Sequence, residues 1–423
     1  MKRRDLLQNS AAVAAGLGYL RTSFAQAPIK PVRIGIIGMG GRGNQLMREF
    51  VKIPGVQVGA VVDPDGKRAE QAAQWVRSNT GVAAKSTADM RTVFDDKSID
   101  AVLVTTTNHW HALTAIWAMQ AGKDVYLEKP VSHNVFEGQK IVEASRKYNR
   151  IVQGGTQRRS FGRFRHAVRL IHEGLIGDVY LGKFVFPGNR DSIGFKPIEP
   201  VPGWLNWDLW LGPAQEQPYH GNLVHYNWHW FWDFGNGELG NNGPHLIDVS
   251  RWAMQKELPV KVRSWGGRWG YKDQAETPNT QTVEWEYADG TAIIGELRGL
   301  YTPEPMSWDF FGSKGHMHLF ADGRFEVTLG RGEKPEPAVE SPADVNHYAN
   351  FVEAVRSRDR TMQNAEVRET VLSTAHCHLG NIAYRVGGDL HFDPHTERFL
   401  NDERANGLLT RRYRAPYVVP ENV

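Results

Sequence analysis

Between Pro31 and about Thr156 the apolar positions change rhythm at regular intervals. Short β-branched runs, "VRIGIIG", "VQVGAVVD", "IDAVLVTTT", "KDVYLEKP" and "RIVQGGTQ", show no polar alternation, as expected of strands buried on both faces. Between them lie stretches of helical period, through Leu46, Met47 and Phe50, from Gln71 to Val76, from His109 to Ala121 and from Val135 to Tyr148. This alternation predicts an α/β fold opening on a doubly wound parallel sheet, whose ligand crevice lies beyond the carboxyl ends of the strands. The segments "TTTNHWH", "EKP" and "GGTQRR" fall at those ends.

Beyond residue 156 the texture changes. A helix in "FRHAVRLIHEGLIG" leads to "DVYLGKFVFPGN", then to a region rich in Trp and Pro. Alternating runs such as "TQTVEWEYADG", "TAIIGELRG" and "GHMHLF" follow, and they predict a large open, mainly antiparallel sheet with hairpin turns at Asp289-Gly290 and Asp322-Gly323. Helices around Val345 to Val355 and Glu366 to Tyr384 precede an expected irregular tail. The reading divides the chain into residues 1–27, a doubly wound α/β domain over 28–156, an α+β domain over 157–395 and a tail over 396–423. A length of 423 residues suits two domains with a core each.

Residues 1–27 carry a basic start, "KRRDLLQ", a short apolar stretch, "SAAVAAGLGYL", and "AQA" before Pro28. These are the parts of a secretory signal, and Arg3-Arg4 followed by Asp5, Leu6 and Leu7 resembles the twin-arginine type. The expected partner is then the twin-arginine export machinery, and the expected location is periplasmic or otherwise exported. The apolar stretch is too short for a stable membrane span. Removing these residues lowers the formal charge from +3 to zero, with 46 basic and 46 acidic side chains remaining. Nothing in that balance points to nucleic acid. Cys377 is the only cysteine, which excludes an intrachain disulfide.

The first candidate chemistry lies in "IGIIGMGGRGNQ", where Gly38, Gly40 and Gly43 stand at a strand-to-helix turn, with Gly41 and Arg42 between them. There the first glycine makes the turn, the second lets backbone approach a pyrophosphate, and the third allows close packing of helix on strand. Asp63 ends the next strand, twenty residues after Gly43, where a carboxylate accepts hydrogen bonds from a ribose hydroxyl. The constellation predicts a dinucleotide site. Asp63 favours NAD over NADP by repelling a 2′-phosphate, while the nearby Arg42 and Arg68 argue the other way.

"GMGGRG", "AGKDVYLEKP" and "GNNGPHLIDVSRWA" resemble the motifs of the Gfo/Idh/MocA oxidoreductase family over nearly the whole mature chain. The resemblance implies a Rossmann domain paired with an open-sheet substrate domain, and it places Lys129 of Glu128-Lys129-Pro130 between nicotinamide and substrate, often before a cis proline. An ammonium group there can hydrogen-bond a sugar hydroxyl and favour its deprotonation, or it can simply pair with Glu128. His245 in "GPHLID" can take the hydroxyl proton, or it can be a core histidine held by Asp248. Many family members carry aspartate where this chain has Asn241. Asparagine exchanges no proton, so acid–base work falls on His245 or Lys129.

Several further residues are candidates on weaker grounds. Asn108, His109 and His111 end a strand beside the expected nicotinamide, although Asn108 could merely cap the next helix. Gln157 and Arg158 are candidates for holding substrate hydroxyls, with Asn241, Trp228 and His229. Of Trp204, Trp207, Trp210, Trp228, Trp230 and Trp232, two are expected to meet ligand, since aromatic faces stack on sugar rings. His225 and His229 lack a third partner for a metal, so none is expected. His376-Cys377-His378 reads as helix packing.

An exported NAD enzyme has no diffusible cofactor pool. The expectation is a sugar or glycoside oxidoreductase with tightly bound NAD in a redox-neutral cycle. Two alternatives stand beside it. One is an NAD-dependent glycosidase working by oxidation, elimination, hydration and reduction. The other is a non-catalytic carbohydrate-binding protein that retains NAD. The open face of the second sheet predicts a homodimer or homotetramer.

Overall fold

A computed structural model describes residues 30–331 and 341–423; the signal-like residues 1–27 lie outside them. Six parallel strands, β1 (Val32–Ile37), β2 (Val56–Val62), β3 (Lys85–Thr87), β4 (Ala101–Val104), β5 (Asp124–Leu127) and β6 (Val152–Gly154), pair in the order β3-β2-β1-β4-β5-β6. Their apolar runs are continuous because helices cover both faces. Ile34 and Ile36 pack with Leu46, Met47 and Phe50 on one side. Val62, Val104 and Leu127 pack with Leu113, Ile116 and Met119 on the other. Strand order reverses between β1 and β4, which is where a crevice opens in such sheets. The register aligns Ile37 with Val62 and Val104, and Val104 with Leu127, so Gly38, Asp63, Thr105 and Glu128 emerge together at one edge.

The helix expected around Gln71 to Val76 is longer, Gly66–Thr80. Asp65 caps it by accepting the Lys67 and Arg68 N–H groups, and Gly81 ends it at φ 72°. The helix after β4 spans Asn108–Gln120.

Nine strands form the second sheet: β7 (Val179–Pro187), β8 (Lys261–Gly267), β9 (Thr280–Glu286), β10 (Ala292–Arg298), β11 (Ser307–Gly312), β12 (Gly315–Phe320), β13 (Phe325–Leu329), β14 (Asp389–Asp393) and β15 (Arg398–Phe399). Their order is β13-β12-β11-β7-β10-β9-β8-β14-β15, antiparallel apart from the parallel pair β7 and β10. One face, with Phe184, Trp285, Ile293 and Trp308, packs on helices Gly162–His172, Gly243–Met254 and Val367–Val386. In β9 and β10 each buried residue alternates with a half-exposed one, so the other face stays open. The two expected hairpins are present, with Gly290 at φ 79° and Gly323 at φ 81°.

The tail is largely irregular, but it is packed. After β15 and a short helix, Glu403–Asn406, the chain returns to the first sheet, where Tyr417, Val419 and Val423 join the core that contains Leu113 and Val125. Helix His347–Ser357 buries Phe351 and Val352 against the opposite face of the same sheet. Residues 32–423 therefore form one compact unit.

Burial makes this unit sensitive to acid. It pushes His109, His376 and His378 down to about 3, and His347 to about 4. Unfolded, each protonates near 6.5, so between pH 6.5 and about 4 the unfolded chain binds more protons and stability falls as pH falls. Glu137 and Asp63, pushed up by burial to about 7 and about 6, act in the opposite sense over part of that window, but the four imidazoles outnumber them. The melting temperature should drop between pH 7 and pH 5. A flat or rising profile would contradict this.

Candidate active site

The glycine turn between β1 and helix Gly41–Phe50 divides its labour as the sequence predicts. Gly38 sits at φ 96°, where a Cβ would lie 2.6 Å from the Thr105 carbonyl oxygen. At Gly43 a Cβ would come within 1.9 Å of the Gly38 oxygen, so only hydrogen permits this approach of helix to turn. Gly40 and Gly41 face open space: the nearest atom to a Cβ at Gly40 is Arg68 Nη1 at 3.7 Å, and Gly41 meets nothing within 4 Å. The helix start has no side-chain cap, which leaves its first N–H groups for an anion. This cradle fits a dinucleotide pyrophosphate.

Beyond the turn lies a cavity of about 320 Å³. Gly38, Gly40, Gly41 and Arg42 form one part of its wall, and Asp63 another. Asn108, His111, Glu128 and Lys129 also line it, joined by Asn241 and Trp228 from the second half of the chain. Gly43 lies behind the wall, as its packing role requires. Gln157, Arg158, His229 and His245 are not part of the wall.

Asp63 is buried, and its carboxylate accepts the Met39 N–H at 2.7 Å and the Asp65 N–H at 2.9 Å. Of the two arginines weighed for NADP, Arg42 turns away from Asp63. Its guanidinium lies 2.6 Å from Glu128, and although burial works against its charge, Glu128, Tyr126 and Tyr348 hold it above its ordinary pKa. Arg68 stands near Asp65, at 3.7 Å. Asn108 does not cap its helix; it is the first helical residue, and its amide donates to Asn236 Oδ1 at 3.2 Å. His111 sits between the Pro130 and Thr106 carbonyls, at 2.6 and 3.0 Å, and, kept neutral by burial, it donates to one of them.

Lys129 follows β5, and its peptide bond to Pro130 is cis. Its Nζ donates to the Asn241 carbonyl oxygen at 2.7 Å, with Asn241 Oδ1 at 3.5 Å. Burial lowers its pKa, opposed chiefly by Glu128 and assisted by Arg42 and Arg190. His245 lies at the start of helix Gly243–Met254, with its Nδ1 buried and without a hydrogen-bond partner. Burial holds its pKa well below 6.5, and the charges of Lys129, Arg158 and Arg42 lower it further. The pairing of His245 with Asp248 does not occur. Asp248 instead accepts two bonds from Arg159, at 2.8 and 3.0 Å, and one from Ser373 Oγ at 2.8 Å. Burial shifts both groups toward their uncharged forms, so the His245 imidazole is neutral at neutral pH and can accept a proton.

The remaining candidates are placed less directly. Gln157 Nε2 lies 3.2 Å from Tyr126 OH and 3.5 Å from Glu128. Arg158 is half-buried over Phe164 and Trp308, and desolvation pushes its pKa down to about 10. His229 bonds the Tyr226 carbonyl at 2.8 Å within a short 3-10 turn, Asn227–Trp230, and does not share a helical face with His225. Among the described residues no cluster of three His, Cys, Asp or Glu could hold a metal. Two of the six tryptophans, Trp210 and Trp228, line the cavity.

Sequence reasoning missed the cavity's roof. Leu205 forms a β-bridge with Asp65, the Gly66 N–H donates to the Trp204 carbonyl at 3.2 Å, and the Asn206 N–H donates to the Pro64 carbonyl at 2.9 Å. His225 stacks on Trp204 at 5.2 Å, and its Nε2 lies 3.6 Å from Asp65. Trp210 stacks on Trp207 at 4.8 Å. The tail locks this segment, because Asp208 accepts Tyr417 OH at 2.7 Å and Arg414 Nη1 at 2.6 Å. The tryptophan density was a usable signal; the target of that segment was not readable, since no local pattern encodes it.

Fold and crevice together define an NAD-binding oxidoreductase with a Rossmann sheet. Residues 32–156 match the oxidoreductase family NAD-binding Rossmann fold, and residues 179–419 match the C-terminal alpha/beta domain of the same family. The chain belongs to the Gfo/Idh/MocA oxidoreductase family. It is 33% identical over 247 residues to a glycosyl hydrolase family 109 protein of Saccharopolyspora erythraea, covering 50% of this chain and 54% of that one. It is 36% identical over 148 residues to inositol 2-dehydrogenase 3 of the same organism, covering 34% and 42%. The chain thus spans about half the length of the curated relatives it matches. Among solved structures it resembles the WlbA dehydrogenase of Bordetella pertussis in complex with NADH and UDP-GlcNAcA, with a TM-score of 0.66 at 16% identity over 86% of this chain and 99% of that one.

Proposed function

We propose that this protein is a sugar or glycoside oxidoreductase that keeps its NAD through turnover. The observation that carries the reading is the roof: residues 204–206, Trp210 and His225, locked by Tyr417, close over the side of the crevice next to Asp63 and Asp65. Cofactor exchange would require those contacts to open. When bound, NAD would supply hydride chemistry, oxidising a hydroxyl-bearing carbon of one sugar and reducing the carbonyl of a second, or in the glycosidase reading the same carbon after elimination and hydration. Gly38, Gly40, Gly41 and the free helix N–H groups would hold the pyrophosphate, and Asp63 the ribose. Lys129 would orient the substrate hydroxyl and stabilise its deprotonated form, while neutral His245 takes the proton. Gln157, Arg158, Asn241, Trp228 and His229 would shape the substrate side.

A net hydrolytic outcome on a glycoside is the second reading. It is favoured by the likeness to glycosyl hydrolase family 109 proteins and by Asn241, which removes one proton carrier from the site. Retention of cofactor also suits export on the twin-arginine route implied by residues 1–27, and the open face of the nine-stranded sheet suits a homodimer or homotetramer. The test is to denature the purified protein and quantify released dinucleotide per chain. About one equivalent is expected, followed by free sugar from a glycoside panel under the second reading. Release of essentially none would overturn retention and leave ordinary dehydrogenase assays with added NAD.

A further inference from the structure

We propose that Glu238 and Arg190 are positioning residues for Lys129: the arginine clamps the one carboxylate of the helix that receives the Lys129 ammonium, which leaves that ammonium free of an ion pair and open to a substrate hydroxyl. The value of this arrangement to turnover rests on the role proposed above for Lys129.

The receiving element is a short helix, Gly237–Asn241, whose Asn241 carbonyl accepts Lys129 Nζ at 2.7 Å. Glu238 stands three residues before Asn241, on the same helical face, and is almost fully buried. Both of its carboxylate oxygens are taken by Arg190, Oε2 by Nε at 2.7 Å and Oε1 by Nη2 at 3.1 Å, and Oε1 also accepts the Asn242 amide. Such a two-point fork holds a carboxylate in one orientation. Arg190 is itself fixed, since its carbonyl accepts Tyr271 OH at 2.8 Å. Its Nη1 lies 3.5 Å from the hydroxyl of Tyr226, a residue of the cofactor cavity wall.

A second pair repeats the arrangement. Glu128 Oε1 is taken by Arg42, with Nε at 2.7 Å and Nη2 at 2.6 Å, and Glu128 Oε2 accepts the Lys129 backbone N–H at 3.2 Å. The carboxylates whose charges act on the Lys129 ammonium are Glu128 and Glu238, and an arginine holds each. Among the described residues Lys129 makes no salt bridge, and its Nζ is bonded to the neutral oxygens of Asn241. The other titratable groups around it carry no charge at neutral pH, because burial keeps His111, His229 and His245 neutral and Cys377 protonated. With both arginine–glutamate pairs balanced, the ammonium is the uncompensated charge, and burial lowers its pKa. Breaking the Glu238 pair from its two ends then acts in opposite senses. Glu238→Gln strands the Arg190 cation, which disfavours a second positive charge nearby, whereas Arg190→Gln frees the carboxylate to favour it.

The experiment is labelling of the full chain with acetic anhydride across a pH series, with acetylation at Lys129 read by peptide mass spectrometry, since only the unprotonated amine reacts. It is run on the wild type, Glu238→Gln, Arg190→Gln and the double variant, with melting temperatures to check folding; Arg190 is half-buried, so its replacement leaves the core intact. The Lys129 midpoint should fall by about one pH unit in Glu238→Gln, rise by a similar amount in Arg190→Gln, and lie near the wild type in the double variant. Midpoints that coincide in all four proteins, or that move the same way in both single variants, would overturn the proposal. The pH profile of turnover on the glycoside found by the panel separates the two readings. Its basic limb should follow the labelling midpoint, and a limb that stays in place while the midpoint moves would uphold the clamp and overturn the role of Lys129 in turnover.

Discussion

Lys129→Ala should lower turnover by about 10²- to 10⁴-fold, the range for losing a positioned proton-handling group, while the dinucleotide content of the protein stays unchanged. The cradle explains the separation. The pyrophosphate would be held by backbone at Gly38, Gly40 and Gly41, whereas Lys129 Nζ donates to the Asn241 carbonyl. Removing the ammonium therefore costs little cofactor affinity and much chemistry. It also removes a positive charge that depresses the His245 pKa, so the residual activity should show its acid limb at higher pH than the wild type. Turnover and dinucleotide release measured on the same preparation decide the matter. Unchanged turnover would remove Lys129 from the mechanism, and loss of dinucleotide would make it a cofactor anchor.

Asp248→Ala should destabilise the fold by about 3–5 kcal/mol, the usual cost of stranding one partner of a buried ion pair. Asp248 is almost fully buried and receives Arg159 through two nitrogens and Ser373 through its hydroxyl. Among the described residues its loss leaves Arg159 with one carboxylate, Glu369, at 3.4 Å, and the Trp252 ring. Urea unfolding monitored by tryptophan fluorescence reads the change as a lower midpoint. Because Asp248 does not touch His245, the folded variant should retain most of its turnover. Catalytic loss without destabilisation would restore the discarded pairing between the two.

The parallel sheet and its site edge were legible because buried strands and glycine turns are local signals. "VRIGII" followed by Gly38, Gly40 and Gly43 states both the strand and the reason for each glycine, and the structure assigns each glycine the packing expected of it. Hairpins at Gly290 and Gly323 were equally local. Partners distant in sequence were not legible. Asp248 was matched with His245 because both stand on one helix, whereas its true partner, Arg159, is 89 residues away. Asn108 has the chemistry of a cap, but the amide of Asn236 offers a competing bond. The roof over Asp65 depends on chain from three regions, and only the tryptophan density of one of them was visible beforehand.

The return of the chain to the first sheet has a bearing on synthesis. The first sheet is translated early, yet its covering residues include Phe351 and Val352 on one face and Tyr417, Val419 and Val423 on the other. While the ribosome is still making residues beyond about 340, that sheet exposes apolar surface that only later sequence can cover. Domain-by-domain folding during translation is therefore obstructed, and the nascent amino-terminal half needs a holdase or rapid completion to avoid aggregation. A fragment ending near residue 156 should be insoluble on the same grounds, whatever its affinity for nucleotide.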